Sequence, residues 1–176
     1  MVLFLLAVLV PNLILVASEC EIGPSVKVNL DKNKFLGRWY YVYHSSNQKL
    51  PNLGCLEDDF MKGDNGYKCI TTGYDKTMEA LRVFKGEIMN WTDESFVHNY
   101  DSDATWDGIH YYLGLNYDKF LIITTCLDGR KKSTIYVGFR SKDPSDEDIK
   151  AAFAEMDKNG GNSKELEKFS SCDKMK

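Results

Sequence analysis

The chain has 176 residues and a formal net charge of −4, with 43% hydrophobic and 27% charged residues. This length corresponds to about one domain, which is large enough to bury a full core. The small negative charge argues against nucleic-acid binding, since the longest basic run, 130–132, has three residues and lies in a predicted turn.

The first 18 residues are almost wholly apolar, carry no charge and end in Val16-Ala17-Ser18. Small residues at this end are those that a signal peptidase reads, which predicts a secretory signal peptide over 1–18. A membrane anchor is the alternative, but basic residues normally flank an anchor, and Glu19 and Glu21 follow here. We expect a secreted, extracellular single domain over 19–176, with no membrane span elsewhere.

Short strands and turns dominate the chain from Gly37 to Arg140. Turn residues at 63–66 and 127–130 are typical of β-hairpins. The predicted strands are 37–46, 54–62, 66–74, 80–89, 94–100, 108–115, 119–127 and 133–141. Eight consecutive strands favour an all-β, antiparallel up-and-down barrel, which closes its edges; a β-sandwich is the alternative.

A helical pattern follows the last strand, over 144–156. Asp143 or Ser145 can cap it, and acidic residues fill its first turn. One face is apolar, formed by Ile149, Ala152, Phe153 and Met156. We expect this C-terminal α-helix to pack against the outside of the barrel.

Two sequence motifs, one on the first predicted strand and one on the last, resemble those of the lipocalins. Gly37-Arg38-Trp39 is similar to their first motif, and Ile135–Lys142, with Arg140, is similar to their third. In the second motif, at 115–117, only Tyr117 matches. The resemblance covers nearly all of the mature chain and implies that Trp39 closes the barrel and that Arg140 stacks over it. Both residues, with Gly37, are therefore expected to be structural.

The chain contains five cysteines, at positions 20, 55, 69, 126 and 172. An odd number leaves at least one thiol unpaired, and the spacing matches no zinc pattern, so we expect no metal site. The cysteines resemble those of insect bilin-binding and of haem-binding or triabin-like salivary lipocalins. This resemblance implies the disulfides Cys20–Cys126 and Cys55–Cys172. Cys69 would then be a buried inert thiol or a covalent anchor for a pigment.

The aromatic run of the first strand predicts a pocket wall. If Trp39 points inward, alternation places Tyr41 and Tyr43 inward as well, and places Tyr40, Val42 and His44 outward. Along the last strand, Thr134, Tyr136 and Gly138 share the side of Arg140, and Gly138 would leave room for a ligand. We expect Tyr41, Tyr43, Thr134 and Tyr136 to line a cavity; alternatively, the tyrosines fill the barrel.

The predicted loop around Trp106 carries three carboxylates, those of Asp101, Asp103 and Asp107. An aromatic ring among carboxylates can attract a cationic amine, although such a loop is more often a solvated acidic segment. A haem ligand would have to be an inward histidine, and the orientation of His98 and His110 stays open.

The sequence contains no motif for a catalytic site, such as Gly-x-Ser-x-Gly or His-Glu-x-x-His, so we expect no enzyme. Asn90-Trp91-Thr92 is a sequon in a predicted turn, which makes Asn90 a candidate glycosylation site.

The resemblance implies a carrier of one small hydrophobic molecule, such as a bilin, a retinoid, a fatty acid or a lipid mediator. No cofactor is required, although a bilin or another apolar ligand could be bound. Two alternatives are a salivary-type effector that acts through its surface on a host protein, and a scavenger of amines or haem. A barrel filled with side chains would favour the effector.

Overall fold

The computed structural model describes residues 20–45, 53–101, 107–127 and 130–170. The order of elements is as follows: α1 Lys32–Phe35, β1 Gly37–Ser45, β2 Leu53–Gly63, β3 Gly66–Asp75, β4 Ala80–Met89, β5 Ser95–Tyr100, β6 Gly108–Asn116, β7 Phe120–Leu127, β8 Thr134–Phe139, α2 Asp146–Lys158, a 3₁₀ turn Ser163–Glu165 and β9 Leu166–Lys168.

Strands β1 to β8 form an antiparallel up-and-down barrel, in which β1 closes the sheet by pairing with both β2 and β8. The predicted barrel is therefore confirmed. Strand β9, which the sequence did not predict, extends the sheet by pairing with the end of β1 at 43–45. Strand β9 pairs with the part of β1 that no longer pairs with β2. The β1–β2 pairing covers only residues 37–41 of β1.

Two apolar clusters lie on opposite sides of the barrel wall. The inner cluster is largely aromatic and includes Phe35, Trp39, Phe60, Phe96 and Tyr112. The outer cluster consists of Val42, Leu113, Phe120, Ile122, Val137, Phe139, Ala152 and Met156. Helix α2 contributes the last two, so the predicted packing of this helix outside the barrel is confirmed. Among the described residues, no helix has the length and apolar character needed to cross a membrane.

The N-terminal segment before α1 is tied to the barrel by a disulfide bond. Cys20 is bonded to Cys126 of β7, as predicted. The backbone of the same segment continues along the barrel, where the Glu21 amide donates to Lys131 and the Val26 amide donates to Tyr112. Cys172 lies outside the described residues, so the predicted Cys55–Cys172 bond stays a prediction.

The lipocalin-like motifs meet at the end of the barrel that α1 closes. The guanidinium carbon of Arg140 lies 3.6 Å from the centre of the Trp39 ring, and the Trp39 indole donates to the Phe35 carbonyl at 3.0 Å. Gly37 has a φ of +90°, which favours glycine. Arg140 also donates to the carbonyl oxygens of Lys34 (2.8 Å), Phe35 (3.1 Å), Arg38 (3.0 Å) and Tyr117 (2.9 Å). Tyr117, the one matching residue of the second motif, therefore contacts the same arginine.

A β-bulge in β1 reverses the side-chain alternation after Tyr41. Tyr41 pairs with Gly138, but Tyr43 pairs with Val137, so Val42 is the extra residue. Tyr43 consequently faces outward, with its ring centre 5.1 Å from that of Phe153 on α2. His44 pairs with Tyr136 and lies on its side of the sheet. The predicted inward orientation of Tyr43 and the predicted outward orientation of His44 are therefore wrong.

Candidate functional site

A cavity of about 30 Å³ lies inside the barrel, away from the end that α1 closes. Its wall combines apolar side chains with a group of buried polar ones. The lining residues are Tyr41, Leu56, Asp58, Thr71, His98, Tyr100, His110, Ile123, Thr125, Leu127 and Tyr136. This volume holds about one or two water molecules, because a water occupies at least about 10–15 Å³ of such space.

A chain of hydrogen bonds runs through this wall and ends at Asp58. The Asp58 carboxylate accepts a hydrogen bond from the Tyr41 hydroxyl at 2.9 Å and one from the Thr71 hydroxyl at 2.5 Å. The Thr71 oxygen lies 2.6 Å from the Tyr100 hydroxyl, which lies 2.8 Å from Nδ1 of His98. With Asp58 ionised, Thr71 donates to Asp58, Tyr100 donates to Thr71, and His98 Nδ1–H donates to Tyr100.

This order of donors determines which ring nitrogen of His98 keeps its lone pair. Because Nδ1 carries the proton, Nε2 is an acceptor, and it has no hydrogen-bond partner among the described residues. Buried polar atoms in folded proteins are almost always paired, so this nitrogen is a candidate acceptor for a hydrogen bond from a bound molecule. His98 lines the cavity, so a movement of side chains in the wall would bring this buried acceptor within reach of a molecule that can donate.

A second buried histidine lies beside the first. The ring centres of His98 and His110 are 4.4 Å apart, and Nδ1 of His110 lies 2.9 Å from the Thr125 hydroxyl. Nε2 of His110 also lacks a hydrogen-bond partner within the described ranges. The two histidines, which the sequence could not orient, thus both face the interior.

Burial shifts the pKa of Asp58 and of both histidines. Burial raises the pKa of Asp58 to about 6, although the hydrogen bonds from Thr71 and Tyr41 oppose this change. Burial lowers the pKa of His98 well below its usual value and lowers that of His110 to about 3. At neutral pH the site therefore contains a carboxylate and two neutral imidazoles.

The His110→Gln substitution is expected to reduce the sensitivity of the protein to acid. The folded-state pKa of His110 is depressed, so its contribution to stability is full above pH 6.5 and is lost as the pH falls toward 3. Between pH 7 and pH 4 this histidine accounts for a loss of about 3 kcal/mol, at 1.36 kcal/mol per pH unit. Glutamine cannot titrate and can still reach Thr125.

Urea unfolding of both proteins at pH 7 and pH 4 checks this prediction. Asp58 acts in the opposite direction, because its raised pKa gives stability at low pH that is lost as the pH rises through about 6. Asp58 is present in both proteins, so its contribution cancels in the comparison; the difference reports His110 together with its effect on the pKa of His98, which the charge of His110 helps to lower. An equal loss of stability on acidification in both proteins would contradict the assigned role.

The structure brings together two of the predicted cavity residues. Tyr41 and Tyr136 both line the cavity, with their ring centres 5.8 Å apart. Thr134 is buried on the same side of β8 as Tyr136 but does not line the cavity. A Cβ atom on Gly138 would lie 3.2 Å from the Tyr41 ring, so this ring occupies the space that the glycine leaves.

The other residues that the sequence predicted as site residues lie away from the cavity or outside the described residues. Tyr43 packs against α2 and cannot contribute to the wall. Trp106 lies outside the described residues, so its predicted role in an amine-binding loop stays a prediction. Asn90 is exposed in a turn after β4, and its glycosylation also stays a prediction.

The sequence reasoning missed Asp58, Thr71 and Tyr100. A signal for Asp58 was present, because alternation along β2 places it on the face of Leu56 and Phe60. Burying a carboxylate on the apolar face of a barrel strand costs free energy unless hydrogen bonds compensate for the lost water. The hydrogen-bonding partners of Asp58 lie on the neighbouring strands β1 and β3, and Thr71 links the cluster to Tyr100 on β5.

Comparison of folds identifies the class of protein to which this architecture corresponds. The allergen Per a 4 from cockroaches is 18% identical, with a TM-score of 0.70 over 87% of this chain and 95% of the other. Lobster apocrustacyanin A1 is 16% identical, with a TM-score of 0.64 over 85% and 91%. The amine-binding protein of Rhodnius prolixus, in complex with tryptamine, is 14% identical, with a TM-score of 0.66 over 85% of each chain.

These three proteins are lipocalins, and this chain has the lipocalin fold that its motifs predicted. No family model matches the sequence, and no curated protein is similar to it in sequence. At such low identities the likeness establishes the fold, while the chemistry of the site rests on the residues of this chain.

Proposed function

We propose that this protein is a secreted member of the lipocalin family that binds one small molecule inside the barrel and catalyses no reaction. The observation that carries the proposal is the unpaired Nε2 of His98, a residue that lines the cavity. The ligand is a compact, mostly apolar molecule with one hydrogen-bond donor. Leu56, Ile123 and Leu127 contact its apolar part, and burial of this part drives binding.

The donor group distinguishes between the candidate ligands. A fatty acid presents a carboxylate at neutral pH, which cannot donate to His98 and would be repelled by Asp58. An amine or an alcohol can donate, and an ammonium group is also attracted by Asp58. The Rhodnius protein of the same fold is an amine-binding protein, which makes an aromatic amine a suitable first probe.

The size of the cavity favours small ligands over large ones. Binding pockets for drug-sized molecules measure about 300–1,000 Å³, whereas this cavity measures about 30 Å³. Even a small aromatic molecule must displace side chains in the wall, and a bilin, a retinoid or a haem requires a far larger rearrangement. We therefore propose a small amine or alcohol as the ligand, rather than a bilin, a retinoid or a haem.

A matched pair of probes and a matched pair of variants test the proposal. Tryptamine and indole-3-ethanol share the indole ring but donate from an ammonium group and from a hydroxyl group.

The Ile123→Phe variant fills the cavity and is expected to weaken binding of both probes by at least about tenfold, or 1.4 kcal/mol. The control is Ile109→Phe, on the outer face of the neighbouring strand, where binding should be unchanged.

Isothermal titration calorimetry measures these affinities, and circular dichroism checks that both variants fold. Equal affinities in the wild type and in Ile123→Phe would show that the probes bind elsewhere. Asp58→Asn should weaken binding of tryptamine more than binding of indole-3-ethanol, because only the ammonium group uses the carboxylate charge.

A second candidate function is an effector that acts through its outer surface on another protein. It is favoured by the small cavity and by an apolar surface around β4, where four large side chains are between 41% and 56% exposed. These are Met78, Leu81, Val83 and Met89. Failure of both probes to bind would make this second function the better account.

A further inference from the structure

Three different metal-binding side chains converge inside the barrel, two of them, Asp58 and His98, in the wall of the cavity. A carboxylate oxygen of Asp58, Sγ of Cys69 and one ring nitrogen of His98 all lie within 4.8 Å of one another, and all three residues are buried. Carboxylate, thiolate and imidazole ligands together are typical of zinc. Ligand atoms around a tetrahedral zinc ion are about 3.3–3.8 Å apart, so small side-chain rotations close the site.

The fold creates this convergence from three strands that are not all neighbours. Asp58 lies on β2, Cys69 on β3 and His98 on β5, with β4 between the last two. The β4 residue between Cys69 and Tyr100 is Gly86, which pairs with both. A Cβ atom there would lie 2.6 Å from the Asn99 carbonyl oxygen and 3.0 Å from the Tyr100 ring, so β4 and β5 approach too closely at this point for a larger residue.

The donor atoms are available for coordination. Cys69 is the free cysteine of the described part of the chain, and its sulfur lies 3.8 Å from the Thr71 hydroxyl. Nδ1 of His98 is held by Tyr100, while Nε2 has no partner among the described residues. Histidine ligands of metals usually have one ring nitrogen held by a neighbouring polar group, as Tyr100 holds Nδ1 of His98, and coordinate through the other.

We propose that Asp58, Cys69 and His98 form a zinc(II) site inside the barrel, with a water molecule as the fourth ligand. On binding, Cys69 releases its thiol proton to solvent and coordinates as a thiolate, while Asp58 coordinates as a carboxylate. Their two negative charges balance the two positive charges of the ion, so the buried site is neutral overall. No oxidant or reductant takes part.

The site goes beyond the proposed function and does not depend on it, since zinc binding requires no organic molecule. Zinc and the donor group of a ligand would compete for His98. The probe titrations described above are therefore carried out on chelator-treated protein, and a separate titration with zinc present measures the competition.

Cobalt(II) is the probe for this site because it replaces zinc and, unlike zinc, absorbs visible light. Tag-free protein, treated with chelator and dialysed, is titrated with cobalt(II) and then with zinc(II). We expect one cobalt ion per chain, a sulfur-to-cobalt charge-transfer band, and loss of this band when zinc displaces cobalt. The thermal midpoint should rise with zinc concentration, since zinc binds only the folded state.

Substitutions identify the ligands. Cys69→Ser should abolish the charge-transfer band, and His98→Gln should weaken cobalt binding at least about tenfold. The control is His44→Gln, a histidine on the interior side of β1 but outside the cluster, which should bind cobalt as the wild type does. Circular dichroism verifies that each variant is folded.

The wild-type spectrum alone can overturn the proposal, even if a variant fails to fold. Absence of a sulfur-to-cobalt band in folded wild-type protein, or cobalt binding without such a band, excludes Cys69 as a ligand. A band that persists unchanged in folded Cys69→Ser also overturns it, because the sulfur would then come from another cysteine.

Discussion

Replacing Cys20 and Cys126 together with alanine is expected to lower the free energy of unfolding by about 4–5 kcal/mol. The bond joins residues 106 positions apart, and a cross-link over so long a loop strongly restricts the unfolded chain. It also holds the N-terminal segment, whose Glu21 and Val26 amides donate hydrogen bonds to the barrel. Loss of the bond should therefore loosen this segment as well.

Urea unfolding of the double variant, followed by tryptophan fluorescence, measures this effect. The matched control is Cys69→Ala in metal-free protein, which removes one buried sulfur atom and should cost about 1 kcal/mol. A loss below about 2 kcal/mol in the double variant would contradict the account of the disulfide as a restraint on the unfolded chain.

Replacing Arg140 with alanine is expected to lower the free energy of unfolding by about 4 kcal/mol. The guanidinium stacks on Trp39 and donates to four carbonyl oxygens of α1 and neighbouring segments. Each hydrogen bond from a charged donor contributes about 1.5–3 kcal/mol when measured singly, and the contributions are not fully additive. Its loss should open the end of the barrel that α1 closes.

Two further substitutions make this prediction specific. Arg140→Lys should recover only part of the stability, because an ammonium group lacks the planar fork that reaches several carbonyls. Arg38→Ala removes an arginine that is 47% exposed and forms ion pairs with the partly buried Glu57 and Asp59 at 3.7 and 3.3 Å, and it should cost about 1 kcal/mol. Equal losses for Arg140→Ala and Arg38→Ala in urea unfolding would contradict the account.

The barrel was predictable from the sequence because its signals are local. Alternating residues and turn chemistry predict each strand, and the stripe from Ile149 to Met156 predicts the face of α2 that packs against the outside of the barrel. The bulge at Val42 was not predictable, because the extra residue fits the β pattern as well as its neighbours do. Its effect is large, since one added residue moves Tyr43 to the outside and His44 to the inside.

The polar cluster of the site could be predicted only in part. Alternation along β2 places Asp58 on the inner face, but its partners depend on how the strands close. The cysteine spacing led to the expectation of no metal site, because such reasoning compares residues that are close in sequence. Cys69 and His98 are distant in sequence and lie on β3 and β5, which are separated by β4, so only the folded sheet brings them together.

The most direct test of the central claim is to record the histidine ring resonances of the wild-type protein by NMR during titration with tryptamine and with indole-3-ethanol. We predict that the resonances of His98 and His110 shift and saturate at one probe per chain, while the amide resonances of Leu81 and Val83 stay constant. If the probes shift only Leu81 and Val83, or leave both histidines unchanged at saturating concentration, the barrel interior is not the binding site.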